Sequence, residues 1–193
     1  MAETPSTFLL KPGDAAPAFR LPDPSGAVHE LAGLAGPKGL LVVFACNHCP
    51  YVIHLADRLG ELARDWKDAG VGTVAVSSND IDNYPQDRPE LMAEFADRHG
   101  WDFPYLYDAD QAVAKAYGAA CTPDFFLFDA ERRLYYAGQF DDSRPKNGQS
   151  ADAGDLAKAV SSMLAGEPRP ESPRPSTGCN IKWKPGSEPA YFG

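Results

Sequence analysis

The sequence lacks the features that mark three broad classes of protein. No apolar run approaches the ~20 residues that a membrane-spanning helix requires, so the chain offers no membrane segment. Positive charge is sparse: 18 Lys and Arg stand against 27 Asp and Glu, a formal charge of −9. Apart from Lys182-Trp183-Lys184 the basic residues are scattered, which argues against a nucleic-acid partner, because neutralising phosphates needs a clustered basic surface. Four cysteines in 193 residues do not make a disulfide-dense secreted scaffold. The opening Met1-Ala2-Glu3-Thr4-Pro5 has neither the basic nor the apolar region of a signal peptide. The expectation is a soluble cytoplasmic protein, a compartment in which a disulfide is more often catalytic or transient than structural.

What the chain does have is one short run, Cys46-Asn47-His48-Cys49-Pro50, behind the apolar stretch Gly39 to Ala45. That stretch is aliphatic, β-branched and too short for an amphipathic helix, and it reads as a strand buried on both faces. After Pro50 the apolar residues Val52, Ile53, Leu55, Ala56, Leu59, Leu62, Ala63 and Trp66 fall at helical spacing. Two thiols therefore sit where a buried strand passes into a helix. The positive end of the helix dipole favours an anion there.

The rest of the chain fits an α/β domain. Turn formers at Pro22-Asp23-Pro24-Ser25-Gly26 separate Ala18–Leu21 from Ala27–Leu31 and predict a leading β-hairpin. Val71–Ser77 reads as a second buried strand, parallel to the first by right-handed crossover. The loop Ser77-Ser78-Asn79-Asp80 then lies at the same sheet edge as Cys46, which makes Asn79 a candidate substrate contact by position alone. Helices are expected over Pro89–His99, Gln111–Tyr117 and Asp152–Leu164, a loop over Asp82–Pro89, and a short strand at Phe103–Tyr107. Phe125–Phe128 and Leu134–Phe140 are expected to pair as an antiparallel hairpin. Residues 1–166 form the domain in this reading, and 167–193 a Pro-rich tail carrying Cys179, loop or linker by composition.

A Cys-x-x-Cys pair near a βαβ pattern is a redox signature. In it Cys46, the first thiol, is the expected nucleophile, and Cys49 resolves the mixed disulfide. His48, if protonated beside them, favours the thiolate and stabilises the reduced form by ~30 mV for each ~1.4 kcal/mol. A zinc half-site or two packed structural thiols are the alternatives. Zinc wants a second close pair, and Cys121 and Cys179 are far apart in sequence, so no metal is expected. Thr122-Pro123 reads from the residues alone as a trans turn proline ahead of a strand. His54 and His99 suit solvated helix positions, and Asp80-Asp82 and Asp141-Asp142 suit turns.

The order of elements, the strand ending in Cys-x-x-Cys, and Thr-Pro before a Phe-rich strand resemble the thioredoxin superfamily. Pro12-Gly13-Asp14-Ala15-Ala16-Pro17 in the lead-in, Cys46 to Val52, Ser77 to Asp80, Cys121 to Asp129, Gly138 to Ser143 and Gly178 to Trp183 resemble its peroxiredoxin-like (AhpC/TSA-related) group. The resemblance implies a thioredoxin-like fold, a central mixed sheet flanked by helices with an N-terminal β-hairpin and an extended C-terminal tail. It also implies that Pro123 is cis and that Thr122 and Pro123 orient an incoming disulfide against Cys46 and Cys49.

The function expected is thiol-disulfide oxidoreductase, without cofactor, exchanging with a disulfide-containing protein or small thiol and re-reduced by an upstream thiol donor. The alternatives are a peroxiredoxin-type thiol peroxidase and a redox-sensing adaptor. Against the peroxidase, Cys46 stands where that group places a Thr three residues before its reactive cysteine, and no Arg lies between Ala112 and Glu131. Those two residues position the peroxide oxygens. Cys121 and Cys179 are a candidate second redox pair, with Cys121 at the rim of the site and the tail folding back over it. Otherwise Cys121 packs as a small apolar residue, and Ile181 and Trp183 anchor the tail.

Overall fold

The computed structural model describes residues 3–192. The Pro- and Gly-containing residues 1–17 read as an extended lead-in, partly disordered at its tip, and residues 1 and 2 of that tip lie outside the described residues. The strands are β1 (Thr4–Pro5), β2 (Arg20–Pro22), β3 (Val28–Glu30), β4 (Gly39–Phe44), β5 (Val71–Ser77), β6 (Tyr105–Tyr107), β7 (Cys121–Thr122), β8 (Asp124–Asp129), β9 (Leu134–Gly138) and β10 (Thr177–Asn180). The helices are α1 (Leu31–Leu34), α2 (Pro50–Asp68), α3 (Pro89–Arg98), α4 (Ala112–Tyr117) and α5 (Gly154–Leu164). No helix among the described residues is long and apolar enough to cross a membrane.

The central sheet is mixed. β8 lies between β4 and β9, antiparallel to both. β5 pairs with β6 in parallel, and the Ala45 N–H donates to the Val76 carbonyl at 2.9 Å beside β4. Every residue of β4 is buried because helices cover both sides of it. Leu41 and Val43 pack with Val52, Leu55, Leu59 and Trp66 of α2 and Leu156 of α5. Leu40, Val42 and Phe44 pack with Tyr117 of α4, Phe126 and Phe128. Alternate side chains of a strand leave on opposite faces, so a continuous apolar run here supplies two cores. The hairpin β2–β3 forms as its turn residues predict.

The C-terminal stretch is not the linker its composition suggested. β10 runs antiparallel between β1 and β7, with Cys179 opposite Thr122 and Asn180 opposite Cys121. Ile181 and Trp183 are buried in the second core. Buried Gln111 fastens the segment by donating to the carbonyls of Ser78 (2.7 Å) and Lys182 (2.9 Å), while its own oxygen accepts the Lys184 N–H at 2.8 Å. A Pro-rich sequence carries no periodic signal of such docking, because its partners are backbone groups distant in the chain.

Candidate active site

β4 delivers Cys46 to the edge of the sheet, and Cys49 caps α2 in an extended conformation with Pro50 at the first helical position. Proline suits that position because its missing N–H would have had no helical partner. All four cysteines are reduced and buried. The Thr122–Pro123 bond is cis, and Thr122 meets both thiols of the pair. Cys46 Sγ lies 3.5 Å from Thr122 Oγ1, and Cys49 Sγ lies 3.1 Å from the Thr122 carbonyl oxygen.

Asp87 completes the site from the loop after β5, where the sequence offered only a Pro-interrupted polar stretch. Its carboxylate is fully buried. One oxygen accepts the Asn47 N–H at 2.9 Å and the His48 N–H at 3.3 Å, fixing the backbone between the two cysteines. The other accepts from Asn79 Nδ2 at 2.8 Å and lies 2.7 Å from His48 Nδ1. A carboxylate can only accept, so this Nδ1 carries the proton and donates. Cys46 Sγ is 3.9 Å from the same nitrogen. The His48 ring stacks on Tyr84 with centroids 6.0 Å apart, and Lys182 Nζ stands 5.6 Å over the other ring of that stack, Tyr84. Asn79, expected as a substrate contact, is instead buried and structural: its oxygen accepts the Lys182 N–H at 2.8 Å.

Ligand atoms of Cys46, His48 and Asp87 all lie within 4.8 Å of one another. Two ligands on one tetrahedral zinc with ~2 Å bonds stand about 3.3 Å apart. The 2.7 Å between His48 and Asp87 is a hydrogen-bond distance, and both Asp87 oxygens are already committed. The arrangement fits a proton-bearing pair and not an ion.

The acidity of the two thiols is the reverse of the expected order. Burial, reinforced by the Cys49 sulfur and the negative charge of Asp87, pushes the Cys46 thiol up. Cys49 is held low by a hydrogen bond from the Cys179 thiol, then by one from Cys46, with the Val52 N–H of the first helical turn adding to them. Cys49 is the capping residue of α2, so its sulfur stands at the helix end, where unpaired N–H groups favour negative charge.

Cys121 and Cys179, the candidate second redox pair, are offset by one position in the ladder. Cys179 is opposite Thr122, one residue from Cys121, so the two cysteine side chains leave the ladder on opposite faces. Cys121 is fully buried, and its thiol donates to the Pro123 carbonyl at 3.5 Å. Cys179 shares the face of Thr122 and packs in one buried cluster with Cys49. His54 and His99 lie elsewhere, against Ser143 and Asp57. Asp80 and Asp141 accept backbone N–H groups of their own turns.

With this geometry in hand, the chain can be placed among known proteins. It is 32% identical over 122 residues to the thiol-disulfide oxidoreductase ResA of Halalkalibacterium halodurans, covering 63% of this chain and 64% of that protein. It is 28% identical over 150 residues to peroxiredoxin Bcp of Escherichia coli, covering 72% of this chain and 90% of that protein. An uncharacterized conserved protein from Geobacillus kaustophilus superposes with a TM-score of 0.92 at 45% identity, over 96% of this chain and 98% of that one. The Redoxin family profile matches residues 11–156, and the chain belongs to that family, within the thioredoxin superfamily.

Proposed function

We propose that the protein is a thiol-disulfide oxidoreductase in which Cys46 and Cys49 exchange disulfides with a protein or small-thiol substrate. The observation that carries this reading is the placement of both sulfurs on Thr122, one on its hydroxyl and one on its carbonyl, next to cis Pro123. The names of the relatives, an oxidoreductase and a peroxiredoxin, support thiol chemistry in general.

The pair loses its first proton as a unit, and the two sulfurs share the one that remains. Cys46 is the sulfur flanked by the partly exposed Asn47 and His48, and it meets the substrate. As Cys46 attacks one sulfur of the substrate disulfide, its proton passes to Cys49. The substrate S–S bond breaks and its second sulfur leaves as a thiolate. That thiolate takes the proton back from Cys49, which then attacks Cys46 Sγ. The Cys46–Cys49 disulfide forms, the mixed disulfide breaks, and the substrate departs fully reduced after a two-electron transfer.

The test is trapping. Cys49→Ser should hold a substrate on Cys46 as a mixed disulfide, and wild type should reduce insulin disulfides with a dithiol donor. Failure of both removes the reading. Peroxide consumption dependent on Cys49 would favour the second reading, a thiol peroxidase, which the likeness to a peroxiredoxin supports.

A further inference from the structure

Cys179 is not used by the exchange just described, yet it stands on the same residue as Cys49. Thr122 is its partner across the β10–β7 ladder, and the Thr122 carbonyl is the 3.1 Å contact of Cys49 Sγ. Residues directly opposite in a ladder project to the same face, so Cys179 leaves β10 on the face of Thr122, the residue that meets the pair, and Cys179 and Cys49 belong to one buried cluster with Cys46 and Phe125. β10 is held on both edges, by β1 and β7, so Cys179 is fixed there. Its other side borders a surface groove lined by Pro50, Tyr51, Arg144 and Lys146. Cys46 is flanked instead by Asn47, His48 and, through the histidine, Tyr84. Cys49 therefore shares Thr122 with both other thiols, Cys46 beside the His48–Tyr84 stack and Cys179 at the Arg144–Lys146 groove.

We propose that Cys179 is a third exchanging thiol that takes the disulfide over from Cys46 by attacking the Cys49 sulfur. The inference rests on the Cys46–Cys49 exchange proposed above. In this step the Cys179 thiolate attacks Cys49 Sγ of the Cys46–Cys49 disulfide. The Cys49–Cys179 bond forms, the Cys46–Cys49 bond breaks, and Cys46 leaves as a thiolate that takes up the proton Cys179 lost. No net oxidation occurs, since the oxidising equivalent is the one already received from the substrate disulfide. The exchange returns Cys46 to its reduced, attacking form and stores the disulfide on the side of the Arg144–Lys146 groove. Cys121 has no part in it, because the ladder turns its side chain to the opposite face.

The experiment is disulfide mapping of the full chain after oxidation with excess glutathione disulfide, acid quench and alkylation. Wild type is expected to give both Cys46–Cys49 and Cys49–Cys179 linked peptides, with at least a tenth of Cys46 alkylated. Cys179→Ser should close Cys46–Cys49 alone, lowering Cys46 alkylation at least fivefold. Cys46→Ser should close Cys49–Cys179. Circular dichroism verifies that each variant is folded, and Cys179→Ala serves in place of Cys179→Ser if the latter is not. Wild type that closes Cys46–Cys49 while Cys46→Ser leaves Cys49 and Cys179 both alkylatable overturns the third-thiol assignment and spares the oxidoreductase reading. Wild type that never closes Cys46–Cys49 overturns the oxidoreductase reading and, with it, the exchange at Cys179.

Discussion

Gly178 lies so close over Thr122 that a Cβ on the glycine would stand 2.0 Å from the Thr122 carbonyl oxygen. That oxygen is the one Cys49 touches, so the absence of a side chain at 178 allows β10 to reach the site. Gly178→Ala must push β10 away from β7 and take Cys179 with it. The expected cost is ~1–3 kcal/mol, as for overpacking a close contact, read as a lower urea midpoint. Cys179 should also become alkylatable in the native protein, and an unchanged midpoint with a protected Cys179 would contradict the contact.

Asn79 joins the C-terminal segment to the catalytic loop, accepting the Lys182 N–H at 2.8 Å and donating to Asp87 at 2.8 Å. Asn79→Ala leaves a buried N–H and a buried carboxylate oxygen each short of a partner, at about 1–3 kcal/mol apiece. Trypsin cleavage after Lys182 should accelerate at least severalfold relative to wild type. Equal cleavage rates would show that the segment is held without this bridge.

Asp87 contributes negative charge that raises the Cys46 thiol. Asp87→Asn removes the charge while keeping an oxygen to accept the Asn47 and His48 N–H groups. The pH profile of Cys46 alkylation should move to lower pH, and the rate at pH 7 should rise. Stability should fall by about 1.5–3 kcal/mol, the worth of hydrogen bonds to a charged group. A profile displaced to higher pH would mean that His48, held by Asp87, outweighs the charge itself.

Asp124 is fully enclosed, and burial pushes its carboxyl up to about 6 despite a 2.6 Å hydrogen bond from Ser6 Oγ. Unfolded aspartate ionises near 3.9. Between about pH 4 and 6 the folded chain holds a proton that the unfolded chain has released, so this group's stabilisation is lost as pH rises through that window. The difference is at most about 3 kcal/mol. Urea midpoints of wild type, compared with Asp124→Asn, should improve on acidification from pH 7 to 4.5. Parallel curves for the two proteins would rule the effect out.

Much of this was legible along the chain because it depends on local pattern. The uninterrupted apolar run of β4, the helical spacing after Pro50 and the turn residues before Val28 each state their structure within a few residues. The Cys46–Cys49 spacing names its chemistry in the same way. Asp87 was not legible: nothing in a polar loop distinguishes a carboxylate that will be buried among four donors from one left in water. The register of β10 was equally hidden, since strand pairing across more than fifty residues leaves no periodic trace in a four-residue segment.

The sequence alone therefore determined the α/β layout and the position of the Cys46–Cys49 pair, because hydrophobic period and helix capping act between near neighbours. Tertiary structure alone decided that Thr122 meets both sulfurs, which carboxylate orients His48, and that Cys179 leaves its strand on the face of Thr122 and not that of Cys121. Those outcomes depend on burial, on hydrogen bonds between distant segments and on which face of a ladder a side chain leaves, and all three come into being only when the chain has closed on itself.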